Sequence, residues 1–379
     1  MNVIAFYLPQ FHAIPENDEW WGEGFTEWTN MKKAKPLFKG HNQPRVPLSG
    51  NYYDLLNPET LRWQVDLANR YGIGGFCFYH YWFDGHMLLE KPVEMFLADN
   101  SLELPFCICW ANEHWTNQWV SGENKVLIEQ RYGGEAEWRE HFEYLLPFFK
   151  DDRYIRVDGK PLVVLYRPEI VDCLPEMLAC WRKLAVENGL GGLTVTYQHP
   201  SYFVYPEKRE DLFDYNIEFQ PTLALTMQKS QHHKVLRAIK RRTALFMEKN
   251  FGIDLRFIGT GNGLTRISYD EIWNIILTMP PTRDKSFPGA FVDWDNTPRR
   301  GEKGSLYDGV TVEKFNRYFK EQVKRARDVY ASDYLFIFAW NEWAEGGYLE
   351  PDENRGYSFL EAIRDSLQEL DELPRGVCR

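Results

Sequence analysis

The sequence predicts an α/β fold, a (β/α)8 TIM barrel with long insertions after strands 1 and 6. Two observations carry this. Eight short runs rich in β-branched and aromatic residues recur along the chain: Val3–Leu8, Gly74–Tyr79, Pro105–Trp110, Leu162–Tyr166, Leu193–Gln198, Tyr215–Phe219, Gly289–Asp293 and Tyr334–Trp340. Most are continuously apolar, as strands of a parallel sheet are when both faces are buried. Helical patterns separate them, at Pro58–Tyr71, Leu88–Asp99, Glu135–Phe149, Ile170–Asn188, Tyr269–Met279 and Val312–Tyr330, with Ser358–Glu369 after the eighth. Asn57-Pro58-Glu59 sets proline just inside a helix start, and Gly72 and Gly189 follow two helix ends. A doubly wound open sheet is the alternative; a count of eight favours the barrel.

Length agrees with this once the connections are measured. Residues 9–57 follow the first strand and 220–288 the sixth, on the face where barrels build their active sites. No repeat, low-complexity tract or Ser/Pro linker divides the chain, so one domain over residues 1–379 is expected, with those two excursions.

Composition narrows the function. A net charge of −11 argues against a nucleic-acid binder. No run approaches the ~18 apolar residues of a spanning helix, so no membrane span is expected. The start, MNVIAFYLPQFH, lacks a basic stretch followed by an apolar core, which points to the cytoplasm, or to the periplasm or secretion if a leader has been removed. Cys77, Cys107 and Cys109 lie in apolar strand-like runs and read as buried thiols, the last two forming C-x-C. Neither a metal-ligand set nor a cofactor motif is visible, and there is no G-x-S-x-G elbow. Aromatic residues make up 16% of the chain, many beside amides and acids, a mixture suited to stacking on sugar rings while bonding their hydroxyls. Carbohydrate is therefore the expected partner.

Every strand end carries such groups. The first offers Tyr7, Gln10 and His12, with Trp28 further along its excursion; the second His80, Tyr81 and Trp82; the third Trp110, Asn112 and Glu113. Tyr166 follows the fourth, Tyr197, Gln198 and His199 the fifth, and Glu218 the sixth. Asp293, Trp294 and Asp295 end the seventh, and the eighth runs into Asn341, Glu342, Trp343 and Glu345. A barrel would converge these on one pocket.

Glycosidic chemistry requires two carboxyl groups, one protonated and one ionised, and apolar neighbours such as Trp340 and Trp343 can hold one of them neutral. Glu342 and Glu345 meet that requirement, with Glu113 a second candidate. For Glu350 and Asp352 a solvated loop is expected. Asp293-Trp294-Asp295 is a D-x-D match of a length that arises by chance. The stretch from Gln228 to Asn250 is locally basic and is read as a solvated face, with an anionic glycan or lipid-linked phosphate as the alternative ligand. Gly259, Gly261 and Gly263 read as a loop.

The segments YLPQFHAIPENDEWWGEGFTEWTN, KAKPLFKGHNQPRVPL, FYHYWF, WDNTPRR and AWNEWAEGGYLEPD resemble those of WbsX-like proteins, a group related to glycoside hydrolase family 99. The likeness runs from residue 5 to about residue 360. It implies a (β/α)8 barrel without a catalytic metal. It also implies a retaining mechanism in which one glutamate deprotonates the sugar 2-hydroxyl, which attacks its own anomeric carbon to give a 1,2-anhydro sugar. The other glutamate protonates the leaving group and then activates water. Carried over, Glu342 is the base and Glu345 the acid/base, acting on an α-mannoside- or α-rhamnoside-like substrate. A glycosyltransferase or transglycosylase of surface-polysaccharide (O-antigen) biosynthesis and a non-catalytic carbohydrate-binding barrel are the competing expectations.

Overall fold

The computed structural model describes residues 1–116, 125–199, 209–230 and 263–374. Gly259, Gly261 and all but the first residues of the basic stretch from Gln228 lie outside the described residues.

The barrel strands are β1 (Asn2–Tyr7), β2 (Ile73–Phe83), β3 (Phe106–Trp110), β4 (Lys160–Leu165), β5 (Thr194–His199), β6 (Asn216–Glu218), β7 (Ser286–Phe287), β8 (Gly289–Phe291) and β9 (Tyr334–Phe338). All pair in parallel, in the order β7-β6-β5-β4-β3-β2-β1-β9-β8. The two ends of that order are consecutive in the chain. Ser286 and Phe287 pair with Asn216 and Ile217, whereas Gly289 to Phe291 pair with Phe336 to Phe338. Only Pro288, which has no N–H to give, separates them, and its carbonyl accepts from Phe336 N at 3.0 Å. The expected seventh strand is thus split, each half serving one neighbour, and the ring closes through the chain itself. Closure demands glycine at 289: a Cβ there would lie 1.8 Å from the Glu218 carbonyl oxygen.

Helices fill the connections close to the expected bounds, including Pro58–Arg70, Glu135–Lys150, Leu174–Glu187, Tyr269–Thr278, Val312–Asp328 and Ser358–Glu369. They bury the outer face of the sheet, and the lumen is filled from the inner face. On β1 and β2 the faces alternate. Phe6 points inward to Tyr79, Phe219 and Phe336. Tyr7 points outward to Phe76 and Phe78, with its hydroxyl on Gln64 of the helix Pro58–Arg70.

The first excursion forms the helices Pro15–Trp21 and Glu27–Lys33 and returns along the far end of the chain. Leu48 N donates to Pro351 O, and Glu353 N donates to Val46 O. The segment that follows β9 is thereby walled in by the segment that follows β1. Cys77, Cys107 and Cys109 are buried free thiols. Among the described residues no helix is long and apolar enough to cross a membrane.

Candidate active site

Beyond β9 the chain places Asn341 and Glu342 antiparallel to Gly347 and Tyr348, with a single 3-10 turn, Trp343–Glu345, between them. Several contacts fix that turn. Gly346 closes it in the left-handed region (φ 70°), where a Cβ would come within 2.6 Å of Asp295 N. Asp295 N donates to Glu345 O at 2.7 Å, and Arg45 Nη1 donates to Gly346 O at 3.1 Å. Trp343 stacks on Tyr348 at 3.8 Å and donates its indole N–H to Glu350 at 2.7 Å.

Three carboxylates meet one guanidinium here. Arg299, from a short helical turn Thr297–Arg300, reaches Glu345 with Nη1 at 2.6 Å, Glu342 with Nη2 at 3.6 Å and Glu27 with Nε at 3.2 Å. Glu27 and Glu342 are buried and the side chains of Arg299 and Glu345 nearly so, and Glu342 Oε2 makes no hydrogen bond. Burial drives the Glu342 carboxyl well above the usual carboxylate range, and the Glu345 charge adds to this. Burial also raises Glu345, while the adjoining Arg299 pulls it back. Arg299 itself is raised, since its carboxylate partners outweigh its burial. From β2, the lumen-facing Tyr79 and Tyr81 lie close enough for the Glu342 charge to raise their phenols, on top of the effect of burial. Tyr81 accepts from Gln10 Nε2 at 3.2 Å, and Tyr166 sits edge-on to Tyr79 at 6.2 Å. Trp115 stands against Tyr81 at 4.9 Å and continues toward the half-buried Trp20 and Trp21. Trp294, half-buried, lies 5.5 Å from Phe338. A carboxylate pair with aromatic walls is a site able to move protons at a sugar ring.

The other residues expected at the pocket go elsewhere. Tyr7, His80 and Trp110 face the helices: His80 bonds His141 at 2.9 Å, and Trp110 packs on His141 and Trp181. Burial takes His80 down to about 3, so it is neutral. On β5 it is Gln198 that turns inward, donating to Tyr79 at 3.0 Å, while Tyr197 packs on Phe213 and His199 bonds Asn216. Glu218 accepts from Tyr330 and from Thr282 N. His12 is buried, with its ring lowered by desolvation. Trp28 packs under Trp343 at 5.4 Å and donates to Tyr53 O. Asn341 and Asn112 are bonded to the backbone of Leu8 and Arg167 respectively, and Glu113 pairs with Arg167 at 3.2 Å.

Asp293 and Asp295 hold the scaffold of the site. Asp293 pairs with Arg45 and Arg355, and Asp295 takes bonds from His41, Gln43 and Thr297. Their oxygens are thus committed to protein donors, which leaves the D-x-D match without metal-ligand geometry. Among the described residues no group of three or more His, Cys, Asp or Glu is placed to hold a metal.

Glu350 and Asp352 correct the expectation of a solvated loop, because both are buried. Glu350 collects Tyr53 O–H, Gln64 N–H and Trp343 N–H, and burial pushes it up to about 7 against those donors. Asp352 accepts from Tyr348 O–H and the Arg355 N–H. The docked first excursion, distant in sequence, is what covers them. Glu27 and Arg299 were not singled out from the sequence, although FTEWTN and WDNTPRR, two of the resembling segments, contain them. A charged residue inside each motif was the available signal.

Comparison with known proteins agrees with this architecture. The family described as Glycosyltransferase WbsX matches residues 3–363. Two curated relatives, each called uncharacterized protein WxcX, from Xanthomonas campestris pv. campestris strains B100 and ATCC 33913, are 36% identical over 380 residues. The alignment takes in 100% of this chain and 51% of each relative, so the chain spans about half their length. Among solved structures, a GH99 endo-alpha-mannosidase from Bacteroides thetaiotaomicron superposes with TM-score 0.56 at 14% identity, covering 98% of both chains. A glycoside hydrolase-like protein does so at 0.54 and 14%, over 96% of this chain and 93% of its own. The barrel is therefore that of the GH99 enzymes, and the chain belongs to the WbsX family.

Proposed function

We propose that this chain is a retaining glycoside hydrolase acting on an α-linked polysaccharide or oligosaccharide, α-mannoside- or α-rhamnoside-like, with Glu342 as base and Glu345 as acid/base. The observation that carries the reading is the burial of both glutamates on one arginine where β9 ends, beside Tyr79 and Tyr81. The GH99 fold supports it, and so does the catalytic use that barrels make of this face.

In the first step Glu342 takes the proton of the sugar 2-hydroxyl, whose oxygen attacks the anomeric carbon. The glycosidic bond breaks as Glu345 protonates the departing oxygen. Water, deprotonated by Glu345, then opens the 1,2-anhydro sugar at the anomeric carbon, and Glu342 returns its proton to the 2-oxygen. Two inversions give net retention.

One guanidinium in contact with three carboxylates, with burial raising Glu342 and Glu345, favours a proton shared by the glutamate pair. In the free protein the 2.6 Å pairing with Arg299 favours the anion at Glu345, while Glu342, with an oxygen lacking any hydrogen bond, is the better seat for that proton. A bound 2-hydroxyl donating to Glu342 stabilises its anion and sends the proton to Glu345, where the leaving group needs it.

The test is Glu345→Gln assayed on α-mannan and rhamnose-containing polysaccharides. Turnover should fall by about 10²-fold or more while binding persists; unchanged turnover ends the assignment. The second reading is transfer of the same sugar to a hydroxyl acceptor in place of water, favoured by the family's description as a glycosyltransferase. Reducing sugar released without any nucleotide sugar supports hydrolysis, and strict dependence on a nucleotide sugar supports transfer.

A further inference from the structure

Glu27 belongs to the excursion after β1, far in sequence from the glutamate pair. Its backbone N–H is spent on Gln10 O, and Asn30 Nδ2 lies 3.5 Å from its Oε2. Its carboxylate does one other thing: it occupies the Nε edge of Arg299 at 3.2 Å. Among the groups facing Arg299 are Glu27, Glu342 and Glu345; Arg300, beside it on the same turn, also lowers Glu345, and the Tyr79 and Tyr81 phenols feel the Glu342 charge.

With only Glu342 and Glu345 present, one buried arginine would leave a single uncompensated negative charge. Glu27 raises that to two. Uncompensated charge in a buried site is costly, and the nearest carboxyl that can take a proton does so. We propose that Glu27 is a positioning residue that ties up one edge of Arg299 and thereby strengthens the hold of the Glu342–Glu345 pair on a shared proton. This rests on the acid–base reading of the pair. It also gives the first excursion a role in the chemistry beyond covering the barrel mouth: without Glu27, Arg299 turns its whole fork to the pair, one uncompensated charge remains in place of two, and the pair holds its proton less tightly.

The experiment reads protons directly, with no substrate. Infrared difference spectra across a pH series follow protonated carboxyl groups through their C=O stretch, with the Glu218 and Glu350 contributions common to all variants. Glu27→Gln is expected to lose the pair's carboxylic-acid signal at a lower pH than the unmodified chain, and Glu27→Asp to lose it at the same pH as the unmodified chain. Loss of that signal at the same pH in Glu27→Gln and the unmodified chain overturns the proposal. Should Glu27→Gln not fold, Glu342→Gln decides: if it removes no acid equivalent, the pair held no proton and the proposal fails. In turnover of 4-nitrophenyl α-mannoside, Glu27→Gln should bring the alkaline limb of the pH profile down by about one unit, and Glu27→Asp should restore it. A lectin-like protein would turn over no glycoside even as the unmodified chain, whatever the infrared result, so failure of the functional reading is separable from failure of this one.

Discussion

Asn341 and Asn112 make the same two-point contact at the ends of two different strands. Asn341 Oδ1 accepts from Leu8 N at 2.7 Å and its Nδ2 donates to Leu8 O at 2.9 Å; Asn112 does the same with Arg167 N and O, both at 2.8 Å. Each is followed by a glutamate held by an arginine, Glu342 by Arg299 and Glu113 by Arg167. An amide is the side chain that can satisfy both a buried N–H and a buried C=O of one residue. Asn341→Ala should therefore cost about 2–4 kcal/mol, measured by urea unfolding. Activity should fall as well, since Glu342 loses its fixed neighbour.

Removing Arg299 is expected to be worse. Arg299→Met leaves three buried carboxylates without their cation, a loss of about 3–5 kcal/mol near neutral pH. The penalty should shrink on acidification, because protonation of Glu342 and Glu345 removes the charges that need compensating. Arg299→Lys should recover only part, as a point ammonium cannot serve three partners as the planar fork does. Unfolding midpoints across pH check both statements.

Glu350 gives stability a defined pH dependence. Its carboxyl is held up to about 7, against an ordinary value of 4.5, so the folded chain keeps a proton that the unfolded chain releases between those values. Stability should fall as pH rises through that window, by about 3 kcal/mol from this group, and Glu350→Gln should flatten the slope. A residual slope of the same sign remains from Glu342 and Glu345, which are also raised. Calorimetric melting at a series of pH values is the measurement.

Barrel closure has its own test at Gly289. Gly289→Ala drives a methyl into the Glu218 carbonyl and should destabilise the chain by about 3 kcal/mol or more, seen as a lowered midpoint or a loss of soluble protein. Pro288→Ala, which adds an N–H and no bulk, should be far milder.

Strand positions were legible, the split of the seventh at Pro288 apart, because both faces of each strand are buried, which writes an unbroken apolar run into the sequence. The same property hides which way each residue points. Tyr79 and His80 are both buried neighbours, yet one faces Glu342 and the other a helix. No polar alternation marks the lumen, so choosing among Tyr7, His80, Trp110 and Tyr197 was beyond pattern reading.

The chemical signature of the site, two glutamates three apart after the last strand, was determined by the sequence alone, because its members are local to one turn. Their electrostatic company was decided only by the tertiary structure. Glu27 and Arg299 stand 272 residues apart and meet because the first excursion folds back over the end of β9. The same fold-back buries Glu350 and turns an apparent surface carboxylate into a group poised at about 7. Burial sets the cost of a charge, and burial is a property of the closed barrel, not of any segment of it.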